Sequence, residues 1–357
     1  MTAGTDTEHP EAADARERRS PLSLLAAPRA RRLVIFGAII LLPFYLLARL
    51  FWIGAWSSDR KLDIYYHFSE GKRIAEGVNP YERIMAGDMV RNDKYATLLP
   101  PTYLLFAGFA KAGCGYVEFL LYWRILLHLS HFAVGCLILW RLSAHSWLLG
   151  TFGLWFWLFN RWSVMCLLGS YLEPFTVIFP VLALVLMPNR FRLACLVFGI
   201  GIGFKHVGIF AAPLFLVWGW QRGRWREAGI AAAALALPAV LSALPFVLMH
   251  PEAFMRSMLF SGTRRGDDML WIPVQPLQGA VVEAIRRLPV VVLCLLVYGA
   301  AWRGKIGPAG AMFLAFAAFV FFNSILFMQY YLWPLAILPF AVTERLSPAE
   351  PSLPSPQ

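Results

Sequence analysis

Apolar runs that recur along almost the whole chain are the feature that most limits its fold. They extend from Leu33 to Val342 with short polar breaks, and 59% of the 357 residues are hydrophobic whereas only 15% are charged. A soluble domain of this length needs a larger charged surface, and repeated apolar runs are typical of helices that cross a bilayer. The sequence therefore predicts an all-α polytopic membrane protein with one membrane domain.

The boundaries of the predicted spans indicate a cavity. The candidate spans are 33–55, 116–140, 147–167, 171–187, 193–206, 207–220, 228–249, 289–302, 306–324 and 329–343. Several are shorter than the ~20 residues that a ~30 Å hydrocarbon core needs, which favours half-helices or tilted helices around a cavity. The run "PPTYLLFAGFA" predicts a further helix that begins at Pro100. Either this helix is re-entrant or Arg141 is not a cytoplasmic marker, so the expectation is a bundle of about 10–11 transmembrane helices.

Three regions follow from this pattern. Residues 1–31 mix acids, arginine and proline without an apolar run, which predicts a disordered cytoplasmic tail; residues 32–345 form the membrane domain, and 346–357 form a C-terminal tail. The net charge of +11 lies in small clusters and not on one face, which argues against nucleic-acid binding. The five cysteines are scattered singly, with no metal-ligand spacing and no disulfide framework.

Arginine-rich breaks predict the sidedness. They occur at 28–32, 188–192, 221–226, 303–305 and Arg345, and an excess of basic residues in short loops marks the cytoplasmic face. Five polar stretches then fall on the opposite side of the membrane. They are residues 56–99, 169–174, 204–208, 250–272 and 323–331, and function is expected there.

The first of these outside stretches contains "KLDIYYHFSEGKRIAEGVNPYER" and, over 56–99, seven of the 21 acids of the chain. Helical spacing predicts a short amphipathic helix from Asp63, capped near Gly77 and followed by a turn at "NPY". One face carries Ile64, Phe68, Gly71 and Ala75, and another carries Asp63, His67 and Glu70.

Asp63 in the first turn of that helix has three possible roles. The helix dipole favours the ionised carboxylate, which can act as a general base toward a hydroxyl. The alternative is an ordinary first-turn or N-cap aspartate. A third reading places a divalent ion between Asp63, His67 and Glu70.

Ionisable residues also interrupt apolar runs further along. Glu173 begins one run, and Lys205 with His206 interrupts "FGIGIGFKHVGIFAAPLF". Such groups are costly in a membrane and usually face a cavity or a partner. Lys205 and His206 are therefore candidates to bind an anionic headgroup, and Glu173 is a candidate to position a polar substrate. Snorkelling to the interface is the alternative.

Two further clusters carry charge. Arg124, His128, His131 and Gly135 form one helical stripe, for which structural hydrogen bonding inside the bundle is expected. In "SGTRRGDD", Arg264 and Arg265 suit phosphate by geometry and charge, although the neighbouring aspartates also allow a self-neutralising loop. The "MQYYLWP" stretch fits an aromatic belt.

Four motifs in this order resemble the GT-C superfamily of membrane glycosyltransferases, and within it the polyprenol-phosphate-mannose-dependent α-mannosyltransferases of glycosyltransferase family 87. They are "LDIYYHFSEGKRIAEGVNPYE", "LLPPTYLLFAGFAK", "GIGIGFKHVGIFAAPLFLVWGWQRGRWREAG" and "QYYLWPLAILP". The chain departs from the family where His206-Val207 stands in place of a proline after Lys205, and where Gly169-Ser170 replaces a Gly-Gln pair.

The resemblance implies an enzyme of the inner (plasma) membrane with its active site on the non-cytoplasmic side. The acceptor that it implies is an envelope glycolipid or polysaccharide. Asp63 would act as the general base of an inverting transfer of a sugar, mannose by resemblance, from a polyprenyl-phosphate-sugar donor. Lys205, His206, Arg264 and Arg265 would bind the donor phosphate. The side chains expected to contact the substrates are Tyr66, His67, Tyr171, Glu173, Gln329 and Tyr330. Neither a cofactor nor a metal is expected.

Two other classes fit the composition. A lipid or solute transporter or flippase would also place charges in broken helices, but would carry internal repeats that the two halves do not display. A noncatalytic scaffold of an envelope-assembly complex would tolerate the loss of Asp63.

Overall fold

A computed structural model describes residues 45, 62–87, 93–263, 280–323 and 327–346, with the backbone alone at 261–263, 280–286 and 346. The predicted tails and, apart from Tyr45, the predicted span 33–55 lie outside the described residues. Within those ranges all regular structure is helical, and no strand occurs. The expected all-α class is confirmed.

The first polar stretch folds as predicted. Helix α1 spans Asp63–Ala75, a 3-10 helix spans Pro80–Ala86, and helix α2 spans Pro100–Lys111. Gly77 (φ +80°) follows the end of α1, and the Asn79 side chain accepts a hydrogen bond from the Tyr81 N–H at 3.1 Å. The backbones of α1 and α2 pack closely, because a Cβ on Gly71 would lie 2.6 Å from the Phe106 Cβ.

The middle of the chain contains one long helix and four shorter ones. They are α3 (Tyr116–Ser143), α4 (Trp147–Phe159), α5 (Arg161–Leu168), α6 (Glu173–Thr176) and α7 (Ile178–Leu186). The predicted span 147–167 is not one helix but two, α4 and α5. The chain is extended at Asn160, whose side chain accepts from the Ser163 N–H at 2.9 Å and so starts α5 afresh. Between α5 and the α6–α7 pair the axis bends by 116°.

The next elements form a hairpin. Helix α8 (Phe191–Phe204) is followed by a 3-10 helix (His206–Phe210) and by α9 (Ala212–Met249). Helix α9 is broken at Arg224 (φ 52°, ψ −138°), and a Cβ on Gly219 would lie 3.0 Å from the Ala228 Cα. These atoms would be ~13 Å apart along a straight helix, so α9 turns back on itself as two arms. The predicted break at 221–226 is where the turn occurs.

The last elements are α10 (Pro251–Thr263), α11 (Ala280–Trp302), α12 (Pro308–Phe322), a 3-10 helix (Met328–Tyr331) and α13 (Leu332–Leu346). Within the described ranges, two helices, α3 and α9, are long and apolar enough to cross a membrane, or three if α5 with α6–α7 is one bent span. Helix α2 has 12 residues, about 18 Å at ~1.5 Å per residue, and is too short to cross alone.

Four arginine-rich breaks lie together at one end of the molecule, called here the arginine end (188–192, 221–226, 303–305 and 345). Arg192 pairs with Glu227, and Gln221 Nε2 donates to the Ala301 carbonyl at 3.0 Å. The Glu344 carboxylate accepts from the Gly310 N–H at 2.8 Å. These contacts join breaks that are far apart in the sequence.

The predicted polar stripe of α3 faces the bundle interior. Arg124, His131 and Gly135 are buried, and His128 is half-buried. His131 contacts the Tyr45 hydroxyl at 3.3 Å and the Trp157 carbonyl at 3.2 Å, so it joins neighbouring helices by hydrogen bonds.

Candidate functional site

The predicted site residues meet in one cavity of about 430 Å³ at the end of the bundle opposite the arginine end. It is lined by Asp63, Tyr66, His67, Tyr171, Glu173, Lys205, His206, Gln329 and Tyr330, nine of the eleven candidates. They come from α1, from the bend before α6, from the end of α8 and from the 3-10 helix before α13. Arg264 and Arg265, the other two, lie outside the described residues.

Asp63 lines this cavity and has one carboxylate oxygen without a partner among the described residues. It is the first residue of α1, where the helix dipole favours negative charge, and its Oδ1 lies 2.9 Å from the Lys94 ammonium. Both side chains are roughly half exposed. Oδ2 accepts no hydrogen bond from the part of the chain that the structure describes. A hydroxyl group in the cavity could therefore donate to Oδ2.

His67 lies one turn further along α1 and is held neutral. Its pKa is lowered from 6.5 to about 3, mainly by burial and also by the charges of Lys205 and Lys94, while Asp63 acts in the opposite direction. Its ring packs against Tyr103 with centroids 6.0 Å apart. A neutral imidazole has one donor and one acceptor nitrogen, so His67 can hydrogen-bond to hydroxyl groups without adding charge to the cavity.

Lys205 and Glu173 form a buried ion pair in the wall of the cavity. The Lys205 Nζ lies 2.9 Å from Glu173 Oε1, with the side chains 10% and 1% exposed. Glu173 Oε2 is buried and has no hydrogen-bond partner among the described residues. The Lys205 ammonium also lies 5.6 Å from the centre of the Tyr330 ring. An unsatisfied buried carboxylate oxygen beside a cavity is an acceptor available to a ligand.

The positions of Glu173 and Lys205 are set by the ends of two helices. Glu173 starts α6 after the 116° bend, and Lys205 is the extended residue that ends α8. The Thr102 hydroxyl donates to the Phe204 carbonyl at 2.7 Å, which fixes the end of α8 against α2. The bend contains Ser170 at φ +55°, whose hydroxyl accepts from the Arg124 Nε at 3.1 Å. Arg124 thus supports the cavity wall from behind.

One part of the cavity is apolar. Ile209, Phe210, Val290, Val291, Phe319 and Phe327 line it. Ile209 and Val291 are 57% and 53% exposed, so this part is open at the surface of the bundle. The polar residues of α1 and the buried ion pair line the remainder. The cavity as a whole fits a molecule that has a polar head and an apolar tail.

Two cavity residues were not predicted, namely Lys94 and Arg287. Each is a basic residue without a distinguishing neighbour in the sequence, and only folding brings it to the cavity. A third difference concerns Glu70, which was expected to share a face with Asp63. Glu70 is buried and paired with Arg83 and Arg73, so it joins α1 to the following 3-10 helix. No group of three metal-ligating side chains occurs in the described ranges.

Comparisons with protein-family models, with curated proteins and with solved structures found no match to this chain.

Proposed function

We propose that this chain is a GT-C-type membrane glycosyltransferase that moves a sugar, by resemblance mannose, from a polyprenyl-phosphate-sugar donor to an envelope glycolipid or polysaccharide. The observation that carries the proposal is the meeting of Asp63, Glu173 and Lys205 in one cavity that also has an apolar part. Asp63 is more than 100 positions from both Glu173 and Lys205 in the sequence. A donor of this class needs both a polar and an apolar environment.

The chemistry assigned to Asp63 is general-base catalysis. The acceptor hydroxyl donates to Oδ2 and transfers its proton there while its oxygen attacks the anomeric carbon of the donor sugar. The bond between that carbon and the phosphate oxygen breaks, and its electron pair leaves with the polyprenyl phosphate. Attack from the face opposite the leaving group inverts the anomeric centre. The proton on Asp63 then passes to water.

Lys94, His67 and Glu173 take supporting roles in this mechanism. Lys94 holds Oδ1 of Asp63 and leaves Oδ2 for the acceptor. His67 and Glu173 Oε2 offer hydrogen-bond partners for the sugar hydroxyls. Lys205 lies 2.9 Å from the buried Glu173 carboxylate and provides its counter-charge.

The proposed membrane arrangement has ten crossings. They are the predicted span 33–55, α3, α4 with α5, α6 with α7, α8, the 3-10 helix His206–Phe210 with the first arm of α9, the second arm of α9, α11, α12 and α13. Helix α2 does not cross, which leaves Arg141 at the arginine end and restores the alternation of sides. The arginine end is cytoplasmic under the positive-inside rule, and the cavity opens on the other side of the membrane.

Replacing Asp63 with Asn tests the proposal. We expect transfer to fall by about 10²–10⁴-fold, because the amide cannot accept the proton, while binding of the donor persists. Glu76→Gln is the matched control: Glu76 is an exposed acid just beyond α1 that pairs with Lys72, and its variant should transfer at the wild-type rate. Mass spectrometry of envelope glycolipids from cells that carry each variant gives the readout and identifies the sugar and the acceptor.

A transporter or flippase is the second candidate. The 116° bend beside the buried Glu173–Lys205 pair favours it, since transporters use broken helices at charged sites. This function predicts that Asp63→Asn leaves the envelope glycolipids unchanged. Wild-type glycolipids in the Asp63→Asn strain would therefore contradict the glycosyltransferase proposal.

A further inference from the structure

The charges of the described side chains that line the cavity do not sum to zero. Asp63 pairs with Lys94, and Glu173 pairs with Lys205. Arg287, the remaining charged residue of the lining, makes no hydrogen bond or ion pair with any described residue. These described lining residues therefore carry a net charge of one positive unit, located on a guanidinium group.

Arg287 lies beside the apolar part of the cavity. It lines the cavity from the same face of α11 as Val290 and Val291, which follow it by three and four residues and belong to the apolar part. Val291 and Ile209, which also lines the apolar part, are more than half exposed. A ligand with its tail along these side chains would place the first polar group after the tail near Arg287.

We propose that Arg287 binds the phosphate of a lipid-linked phosphate ligand, with the lipid tail along Ile209, Val290 and Val291. Under the function proposed above, on which the identity of the ligand as the sugar donor rests, this phosphate is a phosphodiester with one negative charge. That charge balances the guanidinium, which has no partner among the described residues. Arginine suits the role, because its planar fork donates two parallel hydrogen bonds to phosphate oxygens.

The same contact would assist the leaving group. When the bond between the anomeric carbon and the phosphate oxygen breaks, the electron pair remains on that oxygen, and the phosphate gains one negative charge. A guanidinium already in place stabilises this charge as it develops. Lys205, for which the sequence predicted this role, is already paired with Glu173.

Titration calorimetry of the purified full-length chain in an uncharged detergent tests the proposal with three probes. Farnesyl phosphate carries tail and phosphate, farnesol carries the tail alone, and inorganic phosphate carries the anion alone. We expect the wild type to bind farnesyl phosphate more tightly than either of the others. Arg287→Gln should weaken the binding of farnesyl phosphate about 10- to 100-fold, because it removes charge-assisted hydrogen bonds. The affinity for farnesol should not change.

Arg287→Lys and Arg303→Gln complete the set. The lysine variant keeps the charge but loses the fork, so we expect it to bind farnesyl phosphate at least about threefold more weakly than the wild type. Arg303 is exposed just beyond the other end of α11, and its variant should bind like the wild type. The proposal is overturned if both Arg287 variants keep wild-type affinity for farnesyl phosphate. It is also overturned if inorganic phosphate binds as tightly as farnesyl phosphate.

These outcomes are separate from those of the Asp63 experiment. Loss of phosphate binding in Arg287→Gln together with wild-type glycolipids in Asp63→Asn would keep the lipid-phosphate site and reject the glycosyltransferase. The reverse pair of results would keep the enzyme and reject Arg287 as the phosphate ligand.

Discussion

Two ion pairs at the cavity differ in depth, and this difference assigns them different roles. Lys94 and Asp63 are roughly half exposed, and pairs in such surroundings contribute at most about 1 kcal/mol. Lys205 and Glu173 are 10% and 1% exposed, so removing one partner leaves a largely desolvated charge without its counter-charge. The first pair orients a carboxylate with little effect on stability. The second holds the ends of α6 and α8 together.

Glu173→Gln should therefore be strongly destabilising. We expect a loss of about 3–5 kcal/mol in the free energy of unfolding, because the Lys205 ammonium stays buried without its counter-charge. The double variant Glu173→Gln, Lys205→Met should recover a large part of this loss, since it removes the charge as well. Thermal or denaturant unfolding in detergent measures the free energy of unfolding of the wild type, of Glu173→Gln and of the double variant.

Glu252→Gln is the matched control for this cycle, because the Glu252–Arg256 pair is 57% and 44% exposed. It should change the free energy of unfolding by less than about 1 kcal/mol. A double variant that is less stable than Glu173→Gln would contradict the buried-charge explanation.

His67 should make the stability of the protein depend on pH. Its folded pKa, about 3, lies below the unfolded value near 6.5, so the unfolded chain binds the proton more readily. The contribution of His67 is complete above about pH 6.5 and is lost as the pH falls toward 3. Between pH 7.5 and 4.5, the unfolding temperature of His67→Asn should fall less than that of the wild type.

His145→Asn is the control for the pH experiment, because His145 is exposed at the end of α3. Its variant should show the wild-type dependence on pH. If the unfolding temperatures of the wild type and His67→Asn fell equally with pH, the imidazole would be protonated equally in the folded and unfolded chains. That result would contradict this explanation.

Close packing of helix pairs is what carries the site residues to the cavity. A Cβ on Gly71 of α1 would lie 2.9 Å from the Ala107 N of α2, and a Cβ on Gly199 of α8 would lie 2.5 Å from the Leu235 carbonyl oxygen. Backbone atoms cannot move aside as side chains can. The position of Asp63 and His67 thus depends on how closely α1 approaches α2.

Gly71→Ala and Gly108→Ala form a matched pair for this contact. Gly71→Ala should cost about 1–3 kcal/mol by forcing the two helices apart. Gly108 lies on α2 with nothing within 4 Å of a Cβ, so Gly108→Ala should be neutral or stabilise by up to about 1 kcal/mol through helix propensity. Unfolding in detergent measures both, and equal stability of the two variants would contradict the packing argument.

The molecule as a whole has two chemically different ends. The arginine end is joined by contacts such as Gln221 with Ala301, and the opposite end holds the cavity. Helix α8 runs from Phe191 beside the first to Lys205 at the second. If the bundle crosses the membrane as proposed, these ends face opposite compartments.

Cysteine labelling tests this orientation. In a cysteine-free background, Glu76→Cys near the cavity end and Lys305→Cys at the arginine end are both exposed positions. A membrane-impermeant maleimide should label the first in intact cells and the second only after permeabilisation. Labelling of both positions from outside would place the two ends on one side and contradict the proposed topology.

The pattern of residues predicts those features that depend on neighbours along the chain. Helix α1 begins at Asp63 and is followed by Gly77 at positive φ, as the spacing indicated. The break at 221–226 falls at a real turn, and the helix from Pro100 forms. Local signals fail where one polar side chain restarts a helix, as Asn160 does within the predicted span 147–167.

For the site, charge within apolar runs identified Glu173, Lys205 and His206, because an ionisable group there has few tolerable places other than a cavity. Helical spacing placed Asp63 and His67 on one face of α1. The other lining candidates were Tyr66, Tyr171, Gln329 and Tyr330, which the resemblance supplied. The pairing of Lys94 with Asp63 and of Lys205 with Glu173, and the absence of a described partner for Arg287, depend on how α1, α6, α8 and α11 approach one another. Charge interactions depend on distance in space and on burial, and both are set by close packing between segments that are distant along the chain. Composition and spacing therefore identified which side chains are costly to bury, and the folded bundle determined which of them neutralise each other and which one is left for a ligand.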